Sequence, residues 1–228
     1  MHTPIRLAVF DIAGTTLADD HAVARSFQNA FASNGYSISE NEIRPLMGYK
    51  KTSAIRLVLE RLAVIPEDEL VDRIHTEFVR EMIAYYGNSP EVRALPGAVD
   101  TMRLLRQRGM RIALNTGFPK EIADTILERM LWVKDGIVDD YIASDEVEHG
   151  RPYPTMIHTL MLRAGIDDPK AVIKIGDTEV DIQEGRNAKC SIVVSVTTGA
   201  FTREQLIPYS PDHIIDNLSD LPDLIPVV

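Results

Sequence analysis

The chain has 228 residues, of which 45% are hydrophobic, with a formal net charge of -10 and a sequence pI of about 5.1. That length supports one substantial core and a second small module, while the acidic balance excludes a surface that neutralises a run of nucleic-acid phosphates. No stretch approaches the roughly 18 apolar residues of a membrane span, so a soluble, untargeted, cytoplasmic protein is expected, with a homodimer as a candidate assembly and any anionic substrate held by local cations or a metal.

In chain order, MHTPIRLAVF leads into a nearly continuous apolar run at residues 5–10 that stops at a polar, glycine-bearing turn, as a buried parallel strand does. The next segment, from Leu17 to about Arg93, carries helical patterns at 21–33, 39–46, 51–63 and 67–86 and no convincing strand. Linkers are expected at 17–20 and 89–96, the second closing on Pro96 and Gly97. Further strands are expected at 110–115 (MRIALN), 141–144 (YIAS), 171–175 (AVIKI) and 191–196 (SIVVSV). Amphipathic helical segments separate most of them, which implies right-handed βαβ units. The predicted fold is α/β: a three-layer Rossmann-like core with a mainly parallel sheet, residues 1–16 and 94–228, plus an inserted all-helical cap, residues 17–93, lying over the end of the first strand.

Several residues at strand ends could carry chemistry. Asp11 follows the first strand, where an open α/β sheet binds its ligands, and Gly14-Thr15-Thr16 adds backbone N–H groups and hydroxyls. A carboxylate there can attack phosphorus; it can equally cap a turn. Thr116 and Gly117 occupy the same place after MRIALN. A hydroxyl there can bind a phosphate oxygen, or the pair can simply end a strand. Arg151, in GRPYP, precedes a helix and either neutralises phosphate or the acidic residues, or sits on the surface. Asp177 and Asp181, in GDTEVD, lie four residues apart on one side of a turn; such a carboxylate pair suits Mg²⁺, and also suits an N-cap followed by a solvated helix face. Elsewhere, Cys190 is read as a small buried hydrophobe, and the six histidines, His2 among them, lack zinc-ligand spacing.

Taken together and in order, Asp with Gly-Thr, Thr-Gly, a basic residue before a helix, and GDxxxD resemble the four-motif signature of the haloacid dehalogenase superfamily, over essentially the whole chain. The resemblance implies a phosphoryl-aspartate intermediate on Asp11, with Thr116, Arg151, Thr15 and Gly117 around the phosphoryl group. It also implies Mg²⁺ held by Asp11, the Ala13 carbonyl and Asp177, with Asp181 orienting that site. The dehalogenases themselves match poorly, because they work without metal and would leave the acidic pair without purpose.

Ala13 narrows the resemblance. Most phosphatases of this superfamily carry there a second aspartate that protonates the leaving oxygen, and a methyl group cannot. The phosphonatases, or phosphonoacetaldehyde hydrolases, have alanine at that position, and FDIAGTT, MGYKK, GRPYP and KIGDT resemble their motifs. In them a cap lysine condenses with the substrate aldehyde, so that carbon can depart. The matching residue is Lys51, with Lys50, Met47 and Gly48 beside it. Condensation needs the neutral amine, and a lysine with pKa about 10.4 is neutral in only about one part in a few thousand at pH 7. Burial and the adjacent Lys50 charge are expected to lower that value; a solvated helix start is the structural alternative. Two departures stand out: Ala54 replaces a histidine three residues after the lysine, and Phe118 replaces a tyrosine two after the threonine. The substrate is therefore expected to be a small phosphonate or phosphorylated metabolite. The alternatives are an acyl, enol or other phosphate ester with a good leaving group, or a phospho-ligand bound without catalysis.

Overall fold

Every residue of strand β1 (Leu7–Phe10) is buried, and its side chains divide by the two-residue period of a strand. Ala8 and Phe10 face one hydrophobic cluster, Leu7 and Val9 the other, which is why the run reads as continuously apolar. The computed structural model describes residues 3–225, so His2 and the outermost residues of the expected core segments lie outside the described residues.

After β1 come helices α1 (Ala22–Ser33), α2 (Glu40–Ile43), α3 (Lys51–Arg61) and α4 (Asp68–Asn88). They are followed by α5 (Ala98–Gln107), β2 (Arg111–Thr116), α6 (Lys120–Met130), β3 (Asp140–Ala143), α7 (Thr155–Ala164), β4 (Val172–Gly176) and α8 (Glu179–Asn187). The chain ends with β5 (Ile192–Val196), α9 (Arg203–Leu206), β6 (His213–Ile215) and α10 (Leu221–Leu224). The six strands lie in the order β3-β2-β1-β4-β5-β6, and all neighbours are parallel. Helices α5 and α6 pack on the cluster that holds Phe10, and α7 and α8 on the cluster that holds Val9, giving the expected three layers. From β1 the chain winds outward to β2 and β3 and then crosses to β4, so the topological switch point falls between β1 and β4. That is where an open α/β sheet forms its ligand crevice.

Two elements differ from the expectation. The helical pattern at 39–46 splits, with α2 ending at Ile43 and Arg44–Leu46 forming a 3-10 turn, because Pro45 lacks an N–H and is tolerated only where a new turn begins. Strand β6 went unpredicted: at three residues it is too short for a periodic pattern to show.

Helices α1–α4 leave and rejoin the sheet through adjacent linkers. Leu17 and Ala94 form an antiparallel bridge, Ala18 N–H donates to the Arg93 carbonyl at 3.0 Å, and Leu95 N–H donates to the Thr16 carbonyl at 2.9 Å. Arg93 and Asp20 add an ion pair beside this crossing. Phe118, just after β2, ties the helices to the sheet, its ring 6.4 Å from Phe78 and 5.9 Å from Tyr86, both on α4. Among the described residues no helix is long and apolar enough to cross a membrane.

Candidate active site

Asp11 leaves the end of β1 above a buried polar network built from four different elements. Arg151 Nη1 donates to Asp11 Oδ1 at 2.6 Å and lies 3.1 Å from Asp181 Oδ1. Its Nε donates to Glu184 at 3.1 Å, and its Nη2 donates to both the carbonyl and the side-chain oxygen of Asn115 at 2.6 Å. Lys174, at the centre of β4, reaches Asn115 Oδ1 at 2.7 Å and Asp181 at 2.9 Å. Burial opposes the Arg151 charge, but Asp181, Asp11 and Glu184 outweigh it and raise its pKa further. Burial would likewise raise Asp181, yet Arg151 and Lys174 hold its carboxyl below the ordinary value. Arg151 therefore keeps its charge and fixes the Asp11 carboxylate from behind.

Asp177 follows β4 across the switch point. Its Oδ1 accepts from the Thr15 hydroxyl at 3.1 Å and its Oδ2 from Ala200 N–H at 2.7 Å. Burial pushes both Asp11 and Asp177 upward; Asp181 adds its repulsion to each, and Asp11 adds to Asp177. Arg151 and Lys174 only partly offset this at Asp11. Such a pair is suited to a cation. Ala13 lines the same cavity, and its carbonyl accepts no backbone hydrogen bond among the described residues. No three His, Cys, Asp or Glu side chains converge as a metal cluster among the described residues. The fitting set is instead two carboxylates and one backbone carbonyl, hard oxygen donors of the kind Mg²⁺ takes alongside water and substrate oxygens.

Above these carboxylates sits the loop that opens α3. Gly48 has φ 84, and a Cβ there would meet Thr178 Oγ1 at 2.5 Å. A Cβ on Gly117 would meet the carbonyls of Gly48 and Tyr49 at 2.4 Å, so both positions accept only glycine without movement. Tyr49 donates to Glu179 at 3.2 Å, and Lys50 Nζ donates to the Val147 carbonyl at 3.1 Å, latching the loop to the core. Lys51 turns inward and is only 3% exposed. Its Nζ donates to the Tyr49 carbonyl at 3.3 Å and stands 5.7 Å from the Phe27 ring and 5.1 Å from the Phe118 ring. Burial pushes its pKa down to about 8, with the Arg151 charge adding to the fall and Asp11, Asp19 and Asp177 opposing it. The cation that acts on Lys51 is thus Arg151, not the expected Lys50, whose ammonium points away to the 147–148 carbonyls.

A cavity of about 40 Å³ is lined by Asp11, Ala13, Met47, Gly48, Lys51, Thr116, Gly117 and Asp177. Eight of the expected site residues therefore meet at one place. Thr116 Oγ1 accepts from Phe118 N–H at 3.1 Å, leaving its own proton for an incoming oxygen. Three expected residues sit elsewhere. Thr15 is fully buried and its hydroxyl is spent on Asp177, so it positions a carboxylate and is not part of the cavity wall. Arg151 is also behind the wall, with its donors committed to Asp11, Asn115 and Glu184. Asp181 is buried in the network beneath, paired with Arg151 and Lys174. Asn115, Lys174, Glu184 and Asp19 were not singled out from the sequence. Lys174 had a visible signal, a charge in the middle of the apolar run AVIKI. Glu184 had a weaker one, one helical turn after Asp181.

The haloacid dehalogenase-like hydrolase family model matches residues 5–189. A phosphonoacetaldehyde hydrolase of Pseudomonas putida is 31% identical, covering 98% of this chain and 92% of its own. The enzyme of the same name from Bordetella avium is 30% identical, over 97% and 91% respectively. Among solved structures, a phosphonoacetaldehyde hydrolase-like protein from Oleispira antarctica superposes with a TM-score of 0.83 at 20% identity, covering 98% of this chain and 92% of that one. The fold, the residues at its strand ends and these similarities agree: the chain belongs to the haloacid dehalogenase-like hydrolases.

Proposed function

We propose that this hydrolase is Mg²⁺-dependent and phosphonatase-like, cleaving the P–C bond of phosphonoacetaldehyde or a closely related aldehyde through a phospho-aspartate on Asp11. One observation carries the reading: a lysine amine lowered to about 8 shares a 40 Å³ cavity with the Asp11 carboxylate, where Ala13 stands in place of an acid. An acid at that place serves an oxygen leaving group, and a carbon leaving group needs an electron sink. Neutral Lys51 condenses with the aldehyde, the iminium draws the electrons of the breaking P–C bond, and Asp11 attacks phosphorus. Arg151 holds Asp11 in line from behind, and the Thr116 hydroxyl with the Gly117 backbone receives phosphoryl oxygens. Asp11, the Ala13 carbonyl and Asp177 would hold Mg²⁺, which would offset charge on the phosphoryl oxygens. In this reading residues 17–93 act as a cap on a core formed by 1–16 and 94–228, and the cap brings Lys51 down on the site as it closes.

A second reading has its own observation. The two aromatic rings beside Lys51 also suit a protonated amine that simply attracts the phosphoryl group of an acyl or enol phosphate. Phosphate release from phosphonoacetaldehyde, acetyl phosphate and an alkyl phosphate, each with and without Mg²⁺, separates the two. We expect release from phosphonoacetaldehyde only, dependent on Mg²⁺ and abolished in Asp11→Asn. Mg²⁺ should also raise the unfolding temperature of the wild type and not of Asp177→Asn. Turnover of acetyl phosphate alone would overturn the phosphonatase reading, and undiminished turnover by Asp11→Asn would overturn the covalent mechanism.

A further inference from the structure

Imine formation moves protons on and off both nitrogen and oxygen, and the surroundings of Lys51 offer few groups to move them. Ala54, one turn along α3, and Phe118 are buried and apolar. The reaction cavity abuts a larger one of about 240 Å³, walled by α1, the turn at Arg44 and the loop at 198–200. Asp19, Met47 and Ala200 line both cavities, and among these side chains only Asp19 carries an exchangeable proton. Asp19 Oδ1 accepts from Val23 N–H at 3.1 Å at the start of α1, while its other oxygen has no hydrogen-bond partner among the described residues. The carboxyl is thus fixed at one oxygen and free at the other, in the doorway between the amine and the larger cavity.

The charged and titratable groups around it are Lys51 from α3, His21 before α1, Arg25 on α1, and Tyr85 and Tyr86 from α4. Burial raises the Asp19 pKa, against the Val23 hydrogen bond and the Lys51 charge, so the group binds a proton more readily than an exposed aspartate does. The Tyr86 hydroxyl is buried without a partner among the described residues and is itself raised, by burial first and then by the Asp19 charge.

We propose that Asp19 is the proton relay of the imine-forming half-reaction, passing protons between the Lys51 amine, the substrate oxygen and solvent in the larger cavity. This rests on the reading of Lys51 as the imine former. The Lys51 lone pair forms the N–C bond, and the C=O electron pair moves to oxygen. The Asp19 carboxylate takes a proton from nitrogen and gives it to that oxygen, producing the neutral carbinolamine. A second proton, delivered to Asp19 from the larger cavity, goes to the hydroxyl, which leaves as water while the nitrogen lone pair closes the C=N bond. Amine, aldehyde and one proton thus become iminium and water.

A purely structural Asp19 would hold the Val23 N–H at the start of α1 and do nothing more, and the two roles separate cleanly. Asp19→Asn keeps an oxygen for the Val23 N–H but cannot carry a proton. The probe is phosphonoacetaldehyde with borohydride, and the readouts are the rate at which the reduced adduct appears on Lys51 and the unfolding temperature. We expect the adduct in the wild type, a loss of rate on the order of a hundred-fold in Asp19→Asn with the unfolding temperature unchanged, and partial recovery in Asp19→Glu. Should Asp19→Asn fold poorly, Asp19→Ser, which also keeps a side-chain oxygen and carries no carboxyl, decides the same question. An adduct that forms as fast in the folded variant as in the wild type overturns the relay alone. No adduct in the wild type overturns the imine reading and the relay with it.

Discussion

Buried cations lie on both sides of Asp11, and their surroundings treat them in opposite ways. Beneath it, the side chains of Arg151 and Lys174 are 0% exposed and face Asp11, Asp181 and Glu184. Above it, Lys51 is almost as deeply buried but faces a backbone carbonyl and the rings of Phe27 and Phe118. Burial works against charge in both places. Carboxylates at hydrogen-bond distance reverse that effect for Arg151, whereas for Lys51 more distant carboxylates leave burial in command. Depth alone therefore does not set protonation; the partners do. In the proposed mechanism Asp11 has a permanent cation behind it, held by the core, and a releasable proton in front, brought by Lys51 at the start of α3.

Removing a cation from the lower group should give the largest effect. Lys174→Met leaves Asp181 and Glu184 to share Arg151 alone, and an uncompensated buried charge costs roughly 3–5 kcal/mol. Urea denaturation at pH 7 should show a lower midpoint at unchanged slope. A loss under about 1 kcal/mol would mean that the network relaxes around the gap and does not hold Asp11 rigidly.

The upper and lower groups also differed in how far the sequence revealed them. Strand ends announce themselves: Asp11, Thr116 and Asp177 each follow a run of apolar residues, and the positions they take in the crevice follow from parallel topology. Asn115 and Glu184 looked like ordinary polar residues, because their role depends on which strand lies beside which. Only the order β2-β1-β4 brings them to Arg151. Lys51 was legible only through the resemblance of MGYKK. Its depressed pKa was anticipated, but the cation responsible was misassigned, since adjacency in sequence placed Lys50 beside it while the helix start turns the two side chains apart. Arg151 and Thr15 were placed in the right neighbourhood and one layer too shallow, because spacing along a chain carries no information about depth.

Replacing the upper cation should stabilise the fold. Holding the Lys51 amine at about 8 in place of 10.5 costs about 3 kcal/mol at pH 7. Lys51→Met should therefore be more stable than the wild type by about that amount while forming no borohydride adduct. The sign can be checked with pH. Between about 8 and 10.5 the unfolded chain holds the proton and the folded chain does not, so wild-type stability gains as pH rises through that window. The advantage of Lys51→Met should be full below about 8 and shrink towards nothing by 10.5. A variant less stable than the wild type at pH 7 would show that the rings and the Tyr49 carbonyl compensate the ammonium fully.

The smallest expected effect tests whether the apolar character of the upper group can be softened without losing its function. Phe118 touches Phe78 and Tyr86 on one side and lines the reaction cavity on the other, so the direction of a new hydroxyl decides the outcome of Phe118→Tyr. Directed into the cavity, the hydroxyl finds Lys51 and solvent. Stability should then change by less than about 1 kcal/mol, and adduct formation should quicken several-fold as a second proton carrier joins the site. Directed towards α4, it is buried without a partner at a cost of about 1–3 kcal/mol and no gain in rate. The first outcome is expected, because Phe118 lines the reaction cavity and the Lys51 nitrogen lies 5.1 Å from its ring centroid. Loss of stability together with a slower adduct would show that Phe118 is needed as an apolar wall, and that the amine is kept neutral by the absence of polar neighbours at that position.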